Sequence, residues 1–130
     1  MAFRCEIVTP DQQAFDQQVA QAIVPAHDGQ IGLLTGRAPL LVKLGAGALV
    51  LDLVGGKRVS FFVRAGVAQM KDNHLTVVTE EARHVEELSA EDARAELAEA
   101  TARRITDDAS FDARQNAIAA ARAKIALAAK

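Results

Sequence analysis

The residues of this chain that could do chemistry are few: three histidines, one cysteine, a Gly-Gly-Lys triplet and a run of carboxylates. His27, His74 and His84 have no metal-ligand spacing, and Cys5 is remote from them in sequence, which argues against a zinc site. Solvent-facing turn positions account for the histidines. Gly55-Gly56-Lys57 would end a phosphate-binding loop only with Gly at position 51 and Ser or Thr at position 58. Leu51 and Arg58 stand there, so the triplet reads as a two-residue hairpin turn. No Gly-x-Ser-x-Gly elbow occurs, and Cys5 sits in a strand-like run without a partner base, where it reads as a half-buried small hydrophobe. The carboxylates from Glu80 to Glu99 approach and occupy a helical pattern, where they are surface charge rather than an acid–base couple. The chain is therefore expected to act by contacting other proteins and not by catalysis.

Composition narrows the partners. The 130 residues suffice for one domain, or for one domain with a small appendage; 50% are hydrophobic and 25% charged, a globular balance. A net charge of −2 and a pI near 5.9 provide no clustered basic face for nucleic acid, and Trp and Tyr are absent as stacking platforms. The N-terminal residues lack the long apolar stretch of a signal peptide. The most apolar segment, Ala46 to Val54, is interrupted by Asp52 and too short to span a bilayer. A cytosolic chain is expected, reaching a membrane only through a partner.

The elements that must position any contact surface fall into two groups. From Phe3 to about Thr79 short β-branched and apolar runs alternate with turn signals. Arg4–Thr9 is a strand closed by Pro10-Asp11; Phe15–Pro25 follows; His27–Gln30 is a turn cluster before Ile31–Leu34. Gly36–Pro39 is another break, Leu40–Leu44 and Ala48–Val54 are apolar runs, Gly66 marks a bend, and Asp72-Asn73 is a tight turn. This spacing predicts an all-β sandwich of antiparallel strands over residues 1–85.

Residues 86–130 follow a different pattern. Between Ser89 and Lys130 there is no Gly or Pro, and alanine, the best helix former, dominates. Ser89 and Asp92 fit a capping box for a helix from about Ala90 to Ile105, and Thr106–Ser110 breaks it and caps a second from about Phe111 to Ala129. So short a connection predicts an antiparallel hairpin. Its expected seam is Ala93, Leu97, Ala100 and Ile105 against Phe111, Ile118, Ala121, Ile125 and Ala128. Alanine seams bury little area; at about 25 cal/mol per Å² the hairpin is worth only a few kcal/mol, close to the cost of ordering it. The first helix and its approach are acidic. After Asp112 the only charges are Arg114, Arg122, Lys124 and Lys130, a basic amphipathic rod suited to an acidic groove. Solvated faces complementing the helix dipoles are the alternative reading of the same charges.

The segment Asp28-Gly29-Gln30-Ile31-Gly32-Leu33-Leu34-Thr35-Gly36-Arg37-Ala38-Pro39-Leu40-Leu41 resembles the signature of the ε subunit of F-type ATP synthases. Ile7-Val8-Thr9-Pro10, Val63–Val67, Thr76–Thr79 and Asp92–Ala95 are similar to that family in the same order. The resemblance implies a ten-stranded sandwich and a helical hairpin in a non-catalytic subunit of the central rotor stalk. Its partners would be the γ subunit and the membrane c-ring. In the extended state of the hairpin they would include the α/β catalytic head, where ATP hydrolysis is blocked. It places the complex at the cytoplasmic face of the bacterial inner membrane, with no direct membrane insertion. It implies c-ring-facing loops at Asp28, Gly29 and Gln30 and at Gly36, Arg37, Ala38 and Pro39, with Asp28 toward a basic residue of the ring. Arg37 stands where the family usually has His, and Thr35 where it has Pro. It further implies a weakened site for ATP as regulatory ligand at Glu91, Arg94 and Ala95, since Ala90 lacks the family's apolar anchor, and no other cofactor or metal. Arg114, Arg122 and Lys124 would contact an acidic segment of the head. A stand-alone sandwich module with a partner-binding helical tail is the alternative, and a small-ligand sensor resting on Arg94 and Ala95 a third.

Overall fold

The computed structural model describes residues 2–26, 29–36 and 38–128, in two compact units, Met1–His84 and Val85–Lys130. The first unit is built from nine strands: β1 (Phe3–Val8), β2 (Gln13–Ala26), β3 (Gly29–Leu34), β4 (Leu40–Lys43), β5 (Gly47–Leu53), β6 (Arg58–Arg64), β7 (Val67–Lys71), β8 (His74–Val78) and β9 (Glu81–His84). They form one sheet in the order β4-β7-β8-β1-β2-β5-β6-β9, with β3 also on β2.

The 14-residue β2 is the pivot of this sheet. Its first half pairs with β1 up to Val19↔Phe3; from Gln21 it pairs with β3, and β5 joins it on the other side. The register slips at Ala20, between Val19 and Gln21. The extra residue reverses which side chains face inward: Phe15 and Val19 before it, Ala22 and Val24 after it, are all buried. One strand thereby serves both layers of a sandwich. A bridge between Ala26 and Leu44 ties the end of β2 to the end of β4.

Alternation supplies the core. Phe3, Cys5 and Ile7 of β1, Leu49 and Leu51 of β5, Phe61 and Val63 of β6, Ala68 and Met70 of β7, and Leu75 and Val77 of β8 are all buried in one cluster. Phe15 and Phe61 meet edge to face, with centroids 5.5 Å apart. Cys5 is fully buried rather than half-buried, and burial pushes its thiol up to about 12.

Three turns explain residues that stood out in the sequence. Asp72 and Asn73 both have positive φ, as a two-residue hairpin turn requires, and Asn73 Oδ1 accepts from the Gly36 amide at 2.8 Å. Gly66 has φ +98°, and a Cβ there would lie 1.9 Å from the Val78 carbonyl oxygen. Beside it the buried Thr79 hydroxyl donates to the Arg64 carbonyl at 2.8 Å and accepts the Arg64 amide at 3.1 Å. The Gly55-Gly56 turn is longer than the two residues expected: Leu53 N donates to Lys57 O, and both glycines have positive φ.

Two further expectations are corrected. The β1–β8 pair is parallel, not antiparallel, because the long chain between these strands supplies the crossover that parallel pairing needs. His74 and His84 are not free turn residues. His74 Nε2 lies 2.6 Å from Glu6 Oε1 across that parallel pair, and the His84 ring packs 4.3 Å from Phe61.

In the second unit a 3-10 turn, Val85–Glu87, precedes α1 (Ala90–Thr101) and α2 (Asp108–Ala128). Ser89 Oγ accepts the Asp92 amide at 3.2 Å, the forward half of the expected capping box. Helix α1 ends at Thr101, short of Ile105. Helix α2 begins at Asp108 because Asp107 Oδ1 accepts the Ser110 amide at 2.7 Å, capping it before Phe111. With these boundaries Ile105 and Phe111 are 52% and 45% exposed, outside the seam. The buried positions are Ala93 and Ala100 of α1 and Ala117, Ile118, Ala120, Ala121 and Lys124 of α2. Ala100, Ala117 and Ile118 cluster, with Leu97 against them.

Gly66→Ala is expected to lower the unfolding free energy by about 2–4 kcal/mol, through the carbonyl clash and the positive φ. Gly55→Ala, with open space around its Cβ, costs about 1 kcal/mol; urea unfolding checks the contrast. The guanidiniums of Arg4 and Arg58 hold the carboxyls of Asp16 and Asp52 below their usual 3.8. Their contribution to stability is thus complete above that value and is lost as pH falls through the lower folded values. An Arg4→Met, Arg58→Met variant should have a lower urea midpoint than the parent at neutral pH, the difference vanishing once both carboxyls protonate.

Candidate functional site

Strand β3 positions the loop residues singled out above. Gly29 and Gln30 are exposed at its start, where Gly29 pairs with Ala26; Gly36, Ala38 and Pro39 are exposed beyond its end, where Leu34 pairs with Gln21. Asp28 and Arg37 lie outside the described residues. The two groups are at opposite ends of the strand, about 17 Å apart at roughly 3.4 Å per residue. What connects them is β3 itself. Among the described residues it pairs only with β2, so its other backbone edge is open, with Gln30, Gly32 and Leu34 exposed along it.

The glycines here differ in kind. Gly29 and Gly36 have φ of +143° and +83°, which favour glycine for backbone reasons. Gly32 has no positive φ, and a Cβ there would come no closer than 3.9 Å to Gln21 Nε2. Nothing among the described residues requires glycine at 32. Between the loops and β4, the Thr35 hydroxyl is buried without a hydrogen-bond partner among the described residues.

Glu91, Arg94 and Ala95 are exposed on α1, on the side away from the buried Ala93 and Ala100. They form one carboxylate and one cation on an open helix face. The three cations of α2 are separated by their surroundings. Arg114 donates to the Thr101 carbonyl at 3.0 Å, satisfying an orphan acceptor at the end of α1. Arg122 is exposed. Lys124, 4% exposed, donates to both carboxylate oxygens of Glu96 at 3.0 and 3.2 Å. The sequence flagged Lys124 as a surface cation and Glu96 as one of many acids. Their pairing across the fold-back was missed, and an antiparallel register drawn through the Ala102–Asp107 connection is the signal that finds it. Breaking a buried pair costs about 3–5 kcal/mol, and the half-exposed Glu96 puts this one at or below the lower end. That is comparable to the whole seam.

No group of three or more potential metal ligands occurs among the described residues. An open cleft of about 720 Å³ beside Ala20 is lined by Ala2, Leu53, Val54 and the Asp52–Arg58 pair, whose charges satisfy each other at 2.6 Å. Among the described residues no helix is long and apolar enough to cross a membrane. What the described residues offer is a sandwich with one open, glycine-containing edge strand, and a hairpin with a buried ion pair.

Comparison with known proteins identifies the class. Residues 2–85 match the family described as ATP synthase, Delta/Epsilon chain, beta-sandwich domain. The ATP synthase epsilon chain of Granulibacter bethesdensis is 35% identical over 92% of both chains, and that of Rhodopirellula baltica 38% identical over 77% of both. The chain belongs to this family of ATP synthase Delta/Epsilon chains, and its curated relatives are epsilon chains. The fold is shared with a chain of the Euglena gracilis mitochondrial ATP synthase, with TM-score 0.81 and 23% identity over 96% of this chain and 80% of that one. It is also shared with a chain from the central stalk and c-ring of the Tetrahymena thermophila enzyme, with TM-score 0.68 and 14% identity over 96% and 95%.

Thr35→Val keeps the shape and removes the unsatisfied hydroxyl. It is expected to be neutral or to stabilise by up to about 1 kcal/mol, read as a raised urea midpoint.

Proposed function

We propose that the chain is a non-catalytic coupling subunit that binds the γ subunit and rests on the c-ring along the open edge of β3, from the Gly29-Gln30 turn to the Gly36–Pro39 loop. The observation that carries this reading is Gly32. It is exposed on an edge unpaired among the described residues, and neither its backbone conformation nor packing against those residues accounts for it. A partner approaching closely at that edge does. Asp28 and Arg37 would add charge at the two ends of the contact. In a bacterial cell the complex would hold the chain peripherally at the cytoplasmic face of the inner membrane.

The second unit acts as a hairpin that exists folded back or extended. Extended, it would offer Arg114, Arg122 and Lys124 to an acidic surface of the α/β head and inhibit ATP hydrolysis. What supports this is the thin alanine seam and the absence of acids in α2 after Asp112. Glu91, Arg94 and Ala95 would form at most a weak ATP site, since one open helix face supplies few contacts; no other cofactor is called for.

Gly32→Val tests the edge contact. Unfolding of the isolated chain is expected to change by no more than about 0.5 kcal/mol, as for an exposed position with room. Proton-driven ATP synthesis by the reconstituted enzyme should fall several-fold. Unchanged synthesis would remove β3 from the ring contact.

A further inference from the structure

Helix α2 carries three cations after its last acid, and they do not serve equally in the folded-back hairpin. Arg122 is exposed, and Arg114 is bound to a backbone carbonyl that water could equally satisfy. Lys124 differs: its side chain is 5% exposed, and its ammonium is held by both oxygens of one carboxylate 28 residues away, on the other helix. The Arg103–Glu99 pair lies within four residues along the chain, so it cannot report on hairpin closure. Glu96–Lys124 does.

We propose that Glu96 is the latch of the hairpin: it holds Lys124 in the folded-back state and thereby withholds that cation from any other acidic surface. The chemistry makes the two states competitive. A buried ammonium must keep a carboxylate or return to water, so opening requires either full hydration or an external carboxylate in place of Glu96. An acidic partner surface would therefore pull the hairpin open through the same atom that Glu96 uses to close it. Glu96 is itself 47% exposed, within reach of such a surface while still bound. The consequence for hydrolysis rests on the inhibitory reading given above; the latch itself does not.

The test uses the full-length chain and the reconstituted enzyme. Glu96→Gln should speed amide hydrogen exchange across residues 117–124 by about tenfold or more, leaving the amides of β5 and β6 unchanged. Lys124→Met removes the charge but keeps the apolar stem, so exchange there should be unchanged or slower. A charge swap, Glu96→Lys with Lys124→Glu, should recover most of the protection. Unaltered exchange in Glu96→Gln, or equal loss of protection in Glu96→Gln and Lys124→Met, would overturn the latch. In the reconstituted enzyme Glu96→Gln should lower ATP hydrolysis about threefold and Lys124→Met should raise it. Exchange changing as stated while hydrolysis stays constant in both variants would keep the latch and overturn the inhibitory role of Lys124.

Discussion

The extra residue at Ala20 is the constraint on which the sandwich depends. A strand has a period of two, so without the register slip β2 would turn one set of side chains inward along its whole length. Phe15 and Val19 would then be in phase with Gln21 and Ile23, leaving Ala22 and Val24 facing outward. The slip puts Ala22 and Val24 in the core and gives β2 partners in both layers. The edge strand β3 is a consequence, because it occupies the side of β2 that β1 leaves free beyond Val19.

The two units are stabilised by different means. The first buries large side chains, among them Phe3, Phe61 and Met70, and fixes its turns with contacts that tolerate little change, such as Gly66 under the Val78 carbonyl. The second buries mostly alanine. To these it adds the Glu96 carboxylate on the buried Lys124 ammonium. A dense core resists local opening, whereas in a thin one a few contacts weigh heavily on whether the segment stays closed.

The sequence was most legible where local chemistry and tertiary structure agree. Asp72-Asn73, Gly66, the strand alternation and the Ser89 cap all read correctly because each rests on backbone geometry that neighbouring residues determine. The parallel β1–β8 pair was not legible, since periodicity within a strand carries no information about which distant strand it joins. Ile105 and Phe111 were assigned to the seam by their spacing. The Asp107–Ser110 cap shifts the helix boundary and leaves them outside, a case of capping overriding hydrophobic pattern. Among the candidate site residues, the exposed glycine-containing strand was singled out through family resemblance. The burial of Lys124 was not legible, because it depends on an opposing helix whose register the sequence only implies.

The parallel pairing of β1 with β8 also bears on how the chain is made. Strand β1 leaves a ribosome well before its partner, which begins at His74, so half of its backbone groups wait for most of the first unit to be synthesised. Hairpins such as β5–β6 and β7–β8 can form as they emerge, but the ladder that unites them cannot. Phe3, Cys5 and Ile7 therefore remain without their full core until residues 74–78 arrive. The hairpin behind them needs only its own 42 residues from Ser89 to Lys130, and the contacts within it are local by comparison. The sandwich assembles late and all together; the hairpin can assemble by itself.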